Sequence, residues 1–312
     1  MNNKIIAIGI RGAGKKSYMV GMYGALLKGI NGFSIIANEP EDHEKLINLW
    51  GMINSGTPLT PSDSISKYSF SCTDNFERIC DFDYINVGSI SGCSSQLCMN
   101  SASILIFIDG EMFQTVDENA DIEEYEFKVI KKLRTNSALR EVMRAVLSLS
   151  GNGVILPPIG IIITKCELVP VKYGETVKNI IYNEFRGLID GAGIVMPISV
   201  TLGGDIKPGF APNPYNIEQP IAFSVLSILT ENMVCAQKHS YERKLSIANS
   251  RWGIKDKKLI DEITKLQEVS MVWGKSIKRI LSLFPDDKMI YVDGQEKKLK
   301  DYYNTLLMSI II

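Results

Sequence analysis

The stretch that decides the fold is IIAIGIRGAGKKSY, residues 5–18. Its apolar first part predicts a buried strand over Lys4–Gly9, and a helical pattern begins at Lys15. Between them, the glycines of Gly9-x-x-x-x-Gly14-Lys15, with Gly12 inside the spacing, allow the backbone to curl with its N–H groups pointing inward. A turn of this kind at a helix N-terminus, followed by a lysine, suits phosphate groups. The sequence therefore predicts a phosphate-binding loop.

The residue that follows this loop departs from the usual pattern. Lys16 stands where a Ser or Thr hydroxyl normally ligates Mg²⁺. A lysine ammonium has no lone pair to offer a cation. Three alternatives remain: Lys16 supplies the missing positive charge, Ser17 reaches the metal after a local adjustment, or the site is weakened or empty.

The rest of the first two thirds of the chain alternates short apolar runs with longer amphipathic stretches. The runs ILIFI and IGIII are apolar throughout, which is typical of central strands covered on both faces. This alternation predicts a doubly wound α/β domain, with a mostly parallel sheet and helices on both faces. The further predicted strands are Phe33–Ala37, Tyr68–Cys72, Tyr84–Val87, Ser103–Asp109, Gly160–Thr164 and Val195–Ser199. The predicted helices are Lys15–Lys28, Glu41–Ile53, Ile122–Leu149 with a break near Asn136–Ser137, Glu175–Ile189 and Gln219–Ala236.

The composition excludes several classes of protein. The 312 residues include 34 basic and 35 acidic ones, so a net charge of −1 argues against bulk attraction to nucleic acid. Only two histidines are present, which disfavours a histidine-rich metal centre or a Ser-His-Asp enzyme. No apolar run approaches the roughly 20 residues of a membrane span. We expect a cytoplasmic protein without a membrane span, whose six cysteines are reduced.

The C-terminal part of the chain has a different pattern. Residues 1–237 are predicted to form the α/β domain, and residues 238–312 a mostly helical extension. Its apolar positions step by four and three between Leu259 and Phe284, which predicts one long amphipathic helix. Asp293-Gly294 predicts a hairpin turn, and a short helix follows. Between Lys238 and Lys300 there are 15 basic and 9 acidic residues, which indicates a solvated helical face or, alternatively, a surface for a partner.

The motif that points to a base follows the apolar run at Ile161–Ile163. Thr164-Lys165-Cys166-Glu167 is similar to the (Asn/Thr)-Lys-x-Asp motif of GTPases. Together with the phosphate-binding loop, it makes the chain resemble a Ras-like P-loop GTPase of the translation-factor-related class, and especially the bacterial double-GTPase proteins, over about residues 4–235. In that family the carboxylate accepts hydrogen bonds from guanine N1–H and N2–H₂. Glu167 keeps the carboxylate but is one methylene longer.

The resemblance implies roles for three further residues. Thr60, in Gly56-Thr-Pro-Leu-Thr60, is similar to the switch threonine that senses the γ-phosphate and Mg²⁺, although an ordinary Gly/Pro turn explains it equally well. Gly92 stands at the glycine of the family's Asp-x-x-Gly, whose N–H touches the γ-phosphate, but the Asp is Ser89 here. Ser199 resembles the loop that backs the base.

These motifs imply a protein that binds GTP or GDP with a weak preference for guanine. Lys16 and Ser89 replace two groups that organise Mg²⁺ in the family, so we expect weak or absent hydrolysis, with Ser17 the remaining metal ligand. The resemblance further implies a regulatory or structural role beside a protein partner, such as a second GTPase-like chain. Two alternatives remain: an active Mg²⁺-dependent GTPase, or a P-loop ATPase in which Asp109 holds Mg²⁺ and Glu111 activates water.

Overall fold

The computed structural model of the chain describes residues 2–60, 64–88, 95–114, 121–149, 156–249 and 257–311. Its described strands form a nine-stranded sheet with helices on both sides. The strands are Lys4–Gly9 (β1), Phe33–Ala37 (β2), Ser66–Asp74 (β3), Glu77–Asn86 (β4), Ser103–Asp109 (β5), Ile159–Thr164 (β6), Ile194–Ser199 (β7), Met289–Val292 (β8) and Gln295–Lys298 (β9).

The sheet is mixed, with its parallel part at the centre. The order is β2-β3-β4-β1-β5-β6-β7-β8-β9. The five strands from β4 to β7 run parallel to one another, whereas β2 and β3 on one side and β8 and β9 on the other pair antiparallel. The prediction of an α/β sheet is confirmed. The prediction of a mostly parallel sheet holds only for these central strands, because antiparallel strands extend the sheet on both sides.

The predicted helices are present, although the helix predicted to end at Ala236 continues to Asn249, the predicted helix Glu175–Ile189 is divided in two, and the short helix Ser95–Met99 was not predicted. The helices are Lys15–Leu26 (α1), Pro40–Asn54 (α2), Ser95–Met99 (α3), Ile122–Thr135 (α4), Ser137–Leu147 (α5), Gly174–Glu184 (α6), Arg186–Gly191 (α7), Gln219–Asn249 (α8), Lys257–Leu281 (α9) and Leu299–Ile311 (α10). The predicted break separates α4 from α5, because the Asn136 side chain accepts a hydrogen bond from Leu139 N–H and caps the new helix.

Two apolar cores cover the two faces of the sheet. Successive residues of β1 alternate between them: Ile5 packs in the core with α1, α2 and α8, and Ile6 packs in the core with α4 to α7. This alternation follows from the two-residue period of a strand. Strands that are apolar throughout therefore lie where both faces are covered, as their sequence predicted.

The C-terminal residues belong to the first of these cores. The predicted domain boundary at residues 237 and 238 falls inside α8, which continues to Asn249. Ile277, Phe284 and Tyr303 are buried in the same core as Ile5. The predicted hairpin at Asp293-Gly294 pairs with β7 and lengthens the sheet. The apolar stripe of α9 thus packs, over its C-terminal part, on the α/β body.

A buried lysine fastens this C-terminal part to the sheet. The Lys288 ammonium donates a hydrogen bond of 2.7 Å to the carbonyl of Pro197 in β7. Burial lowers the pKa of Lys288 to about 8, because removing the ammonium from water disfavours its charged form.

This lysine predicts a pH dependence of stability. Unfolded lysine titrates near pH 10.4, so between about pH 8 and that value the unfolded chain binds more protons and the free energy of unfolding rises with pH. Lys288→Met removes this titrating group. Between roughly pH 7.5 and 9.5, we therefore expect the free energy of unfolding of the variant to rise by about 1–2 kcal/mol less than that of the wild type. Urea denaturation across this range measures it, with Lys297→Met, an exposed lysine of the same hairpin, as control. If the free energies of unfolding of the wild type and of Lys288→Met change in parallel with pH, the lowered pKa of Lys288 is contradicted.

No helix among the described residues is long and apolar enough to cross a membrane. The five cysteines within the described part of the chain are free thiols. Cys93 lies outside it.

Candidate functional site

The predicted phosphate-binding loop connects β1 to α1. Gly12 and Gly14 have positive φ angles of 86° and 73°, which suit glycine, and Gly14 caps α1 without a side-chain hydrogen bond. The ammonium of Lys15 is buried and donates to the carbonyls of Gly9 at 2.8 Å and Ile10 at 3.0 Å. The loop thus folds around its own lysine and places a positive charge at its centre.

The sheet topology places this loop at a favourable position. β1 pairs with β4 on one side and with β5 on the other, so the order of strands reverses at β1. In open α/β sheets, ligands bind beyond the carboxyl ends of the strands at such a reversal. Gly9 is the last residue of β1, so the glycine-rich loop lies at this point.

Two adjoining cavities open beside the loop. The smaller has a volume of about 90 Å³ and is lined by Arg11, Lys15, Lys16, Thr60 and Asn86, among others. Three of these side chains are basic, and no acidic residue lines the cavity within the described part of the chain. The chemistry of its walls therefore suits an anion.

The larger cavity has a volume of about 410 Å³ and shares Gly12, Gly14, Ser17 and Leu59 with the smaller one. The residues after β6 and the loop after β7 form its far walls, which combine apolar side chains with the carboxylates of two acidic residues. The apolar side chains include Leu202, Ile206 and Ile217, and the carboxylates belong to Glu167 and Asp205. Apolar walls with a few acceptors suit a flat heteroaromatic ring.

The end of β6 contacts the phosphate-binding loop directly. The buried hydroxyl of Thr164 lies 3.0 Å from the Ala13 carbonyl and 3.2 Å from that of Ile108 in β5, and donates to these acceptors. Gly14 also contacts Thr164, because a Cβ at Gly14 would stand 3.5 Å from its side chain. Two motifs 150 residues apart in sequence thus face one cavity.

The ammonium of Lys165 binds two carboxylates. It lies 2.8 Å from Asp109 Oδ2 and 2.6 Å from Glu111 Oε1. Burial alone would lower the pKa of Lys165, but its hydrogen bonds to Asp109 and Glu111 raise that pKa above its ordinary value. The other Asp109 oxygen accepts a hydrogen bond from Glu111 N–H. Both carboxylates are therefore engaged, while Lys165 itself still contributes to the lining of the larger cavity.

The remaining predicted residues have different outcomes. Thr60 lines the smaller cavity, and its carbonyl accepts a hydrogen bond of 3.3 Å from Lys16. Ser199 ends β7, and its carbonyl accepts from Asn216, but its neighbours Val200 and Thr201 line the larger cavity instead. Gly92 and Ser89 lie outside the described residues.

Asn86 and Asp205 are two of the site residues that the sequence analysis missed. Asn86 is 6% exposed at the end of β4 and lines the smaller cavity, and within the described part of the chain its Oδ1 has no hydrogen-bond partner. A polar residue inside the apolar run Tyr84–Val87 was the signal that pointed to it. Asp205 belongs to the Gly/Pro-rich segment that we predicted to be a loop, and nothing in its sequence places it against a cavity.

Comparisons with known proteins identify no family for this chain. No known protein family and no curated protein matches it. One similar solved structure is the crystal structure of a mutation variant of SsGBP, with 15% identity and a TM-score of 0.25. The match covers 64% of this chain and 50% of that chain. A TM-score this low does not show a shared fold.

Proposed function

We propose that this chain is a guanine-nucleotide-binding protein with a Ras-like P-loop fold. In this proposal it binds GTP or GDP, hydrolyses GTP weakly or not at all, and acts as a regulatory or structural partner of another protein. The observation that carries the proposal is the pair of adjoining cavities, a small one with basic walls and a large one with apolar walls and carboxylates. A nucleotide has the matching shape and chemistry, with an anionic polyphosphate joined to a flat base.

The position of the loop supports the proposed phosphate site. A strand, a glycine-rich turn, a lysine and a helix N-terminus follow one another at the point where the strand order reverses. α1 has no acidic residue in its first turn but begins with Lys15 and Lys16. Two cations there oppose the helix dipole, and a bound anion would relieve that repulsion.

The carboxylates of the larger cavity support guanine as the base. Guanine presents N1–H and N2–H₂ donors, whereas the corresponding edge of adenine lacks them. Glu167 and Asp205 both line this cavity and are the acidic residues among its described walls. Carboxylates accept hydrogen bonds and cannot donate them when ionised, so they favour guanine over adenine.

The ATPase alternative finds less support in the geometry. It requires Asp109 for Mg²⁺ and Glu111 for the attacking water. Both carboxylates instead bind the ammonium of Lys165, and neither lines either cavity. An ion pair of this kind neutralises the charge that a metal site needs.

The proposed protein partner rests on the sequence resemblance. The surface that suits such a partner best lies along α8 and α9, where apolar side chains are exposed. These include Tyr241, Leu245, Val269, Met271 and Val272, with exposures from 42% to 62%. Exposed apolar patches of sufficient area are typical of interaction sites.

Calorimetry with GTP, GDP and ATP tests the nucleotide and the base. We expect GTP and GDP to bind at least about tenfold more tightly than ATP. Glu167→Gln should weaken GTP binding by about tenfold and leave ATP unchanged, because it replaces one acceptor oxygen by a donor.

Asp205→Asn is the matched comparison, because it makes the same chemical change in the wall of the same cavity. If that variant alone loses the preference, the loop after β7 recognises the base. Equal affinity for GTP and ATP in the wild type contradicts the proposed guanine site, and Mg²⁺-dependent GTP turnover at an ordinary GTPase rate contradicts the proposed lack of hydrolysis.

A further inference from the structure

The smaller cavity has a donor set that does not suit magnesium. Mg²⁺ in nucleotide sites is held by hydroxyl or carboxylate oxygens together with the phosphates. Among the described residues that line this cavity, Ser17, Thr60 and Asn86 offer neutral side-chain oxygens, and none offers a carboxylate. Arg11, Lys15 and Lys16 line the same 90 Å³ volume, and their positive charges repel a divalent cation.

Lys16 lies where it can replace the cation. Its ammonium donates to the Thr60 carbonyl across 3.3 Å, so it reaches from the start of α1 to the loop after α2. An ammonium carries three donors. One serves Thr60, which leaves others to bind a phosphate oxygen in the cavity.

Asn86 gives a second and independent indication of a ligand. The residue is 6% exposed, and its Oδ1 has no hydrogen-bond partner among the residues that the structure describes. A buried acceptor without a partner costs about 1–3 kcal/mol, which is seldom tolerated unless something binds there. Asn86 and Lys16 line one cavity, and an ammonium that turns toward a phosphate there can also satisfy this oxygen.

We infer that this site binds nucleoside polyphosphates in their metal-free form, with the Lys16 ammonium in the place that Mg²⁺ takes in metal-dependent sites. The inference rests on the proposed function and makes it more specific. Protein cations neutralise the polyphosphate, so binding needs no divalent ion. Excess Mg²⁺ competes with the protein, because it binds the phosphate oxygens that Lys16 would otherwise contact.

Calorimetry in EDTA and in excess MgCl₂ tests this inference, with GTP and inorganic triphosphate as probes. For the wild type we expect GTP affinity in EDTA to equal or exceed that in MgCl₂. Lys16→Ser restores the Gly-Lys-Ser order of a metal-dependent loop. This variant should lose at least about tenfold in affinity in EDTA, and MgCl₂ should restore part of the loss.

Lys16→Arg is the matched control, because it keeps the charge and should keep binding in EDTA. Inorganic triphosphate separates this inference from the proposed function. It binds the basic side chains of the smaller cavity but carries no nucleotide base. If triphosphate binds in EDTA through Lys16 but GTP binds no better than ATP, the guanine site fails and the inference stands. Wild-type binding that requires Mg²⁺ overturns the inference, and so does an absence of binding by both probes.

Discussion

Lys15→Met is expected to lower the affinity for GTP at least about 100-fold, since it removes charge-assisted hydrogen bonds worth about 1.5–3 kcal/mol each. The Lys15 ammonium is buried at the centre of the phosphate-binding loop, where it donates hydrogen bonds to the carbonyls of Gly9 and Ile10. Methionine keeps the long unbranched stem in its place, so the loss isolates the charge. Isothermal titration of GTP measures the effect.

The matched control is Lys28→Met, which removes the same charge from an exposed residue just beyond α1. It should leave GTP affinity within about threefold of the wild type, because a distant charge in water is screened. Thermal denaturation of both variants shows that they remain folded. If Lys15→Met binds GTP as tightly as Lys28→Met does, the polyphosphate does not lie on this loop.

Gly9→Ala is expected to destabilise the protein by about 3–5 kcal/mol, the range of severe steric and packing defects. Gly9 has a φ of 152°, and a Cβ built on it would stand 2.4 Å from the carbonyl oxygen of Phe107 in β5. That atom belongs to the backbone of the neighbouring strand, which pairs with β1 in this register. The clash can be relieved only if β1 and β5 separate, which opens the centre of the sheet.

Gly12→Ala is the control for this substitution, because it makes the same change in the same loop. Gly12 also has a positive φ, of 86°, but a Cβ there meets no atom within 4 Å. Its cost is only the backbone strain of about 1–2 kcal/mol. Urea denaturation compares the two, and equal losses would show that strain, and not the contact with Phe107, restricts Gly9.

Local patterns in the sequence predicted most of the elements of this fold. β1, β2 and β5 have the bounds that their apolar runs predicted, and Asn136 divides α4 from α5 where the pattern breaks. Strands with less regular apolar runs were harder to predict. The first part of β4, from Glu77, alternates polar and apolar residues, and it is a strand because it pairs with β3 across a tight turn.

The candidate site was predictable where its residues lie close together in the sequence. The phosphate-binding loop and the Thr164–Glu167 motif are short, contiguous patterns, and the structure places them at one cavity. The partners of Lys165 were not predictable, because Asp109 and Glu111 lie more than 50 residues away along the chain. Asn86 and Asp205 likewise enter the site only through the positions of β4 and of the loop after β7.

The amino-acid sequence by itself determined the strand–loop–helix at the N-terminus, the alternation of strands and helices, and the lysine in place of a metal-ligating hydroxyl. These features depend on residues close together in the chain, whose backbone preferences and burial act locally. Only the tertiary structure decided that residues between Ile277 and Ile310 complete the core and that Lys16 contacts Thr60. It also decided that Asn86 lines the cavity at the phosphate-binding loop with an oxygen that no described residue pairs. Such contacts arise when distant segments pack on one sheet, and no local pattern encodes them.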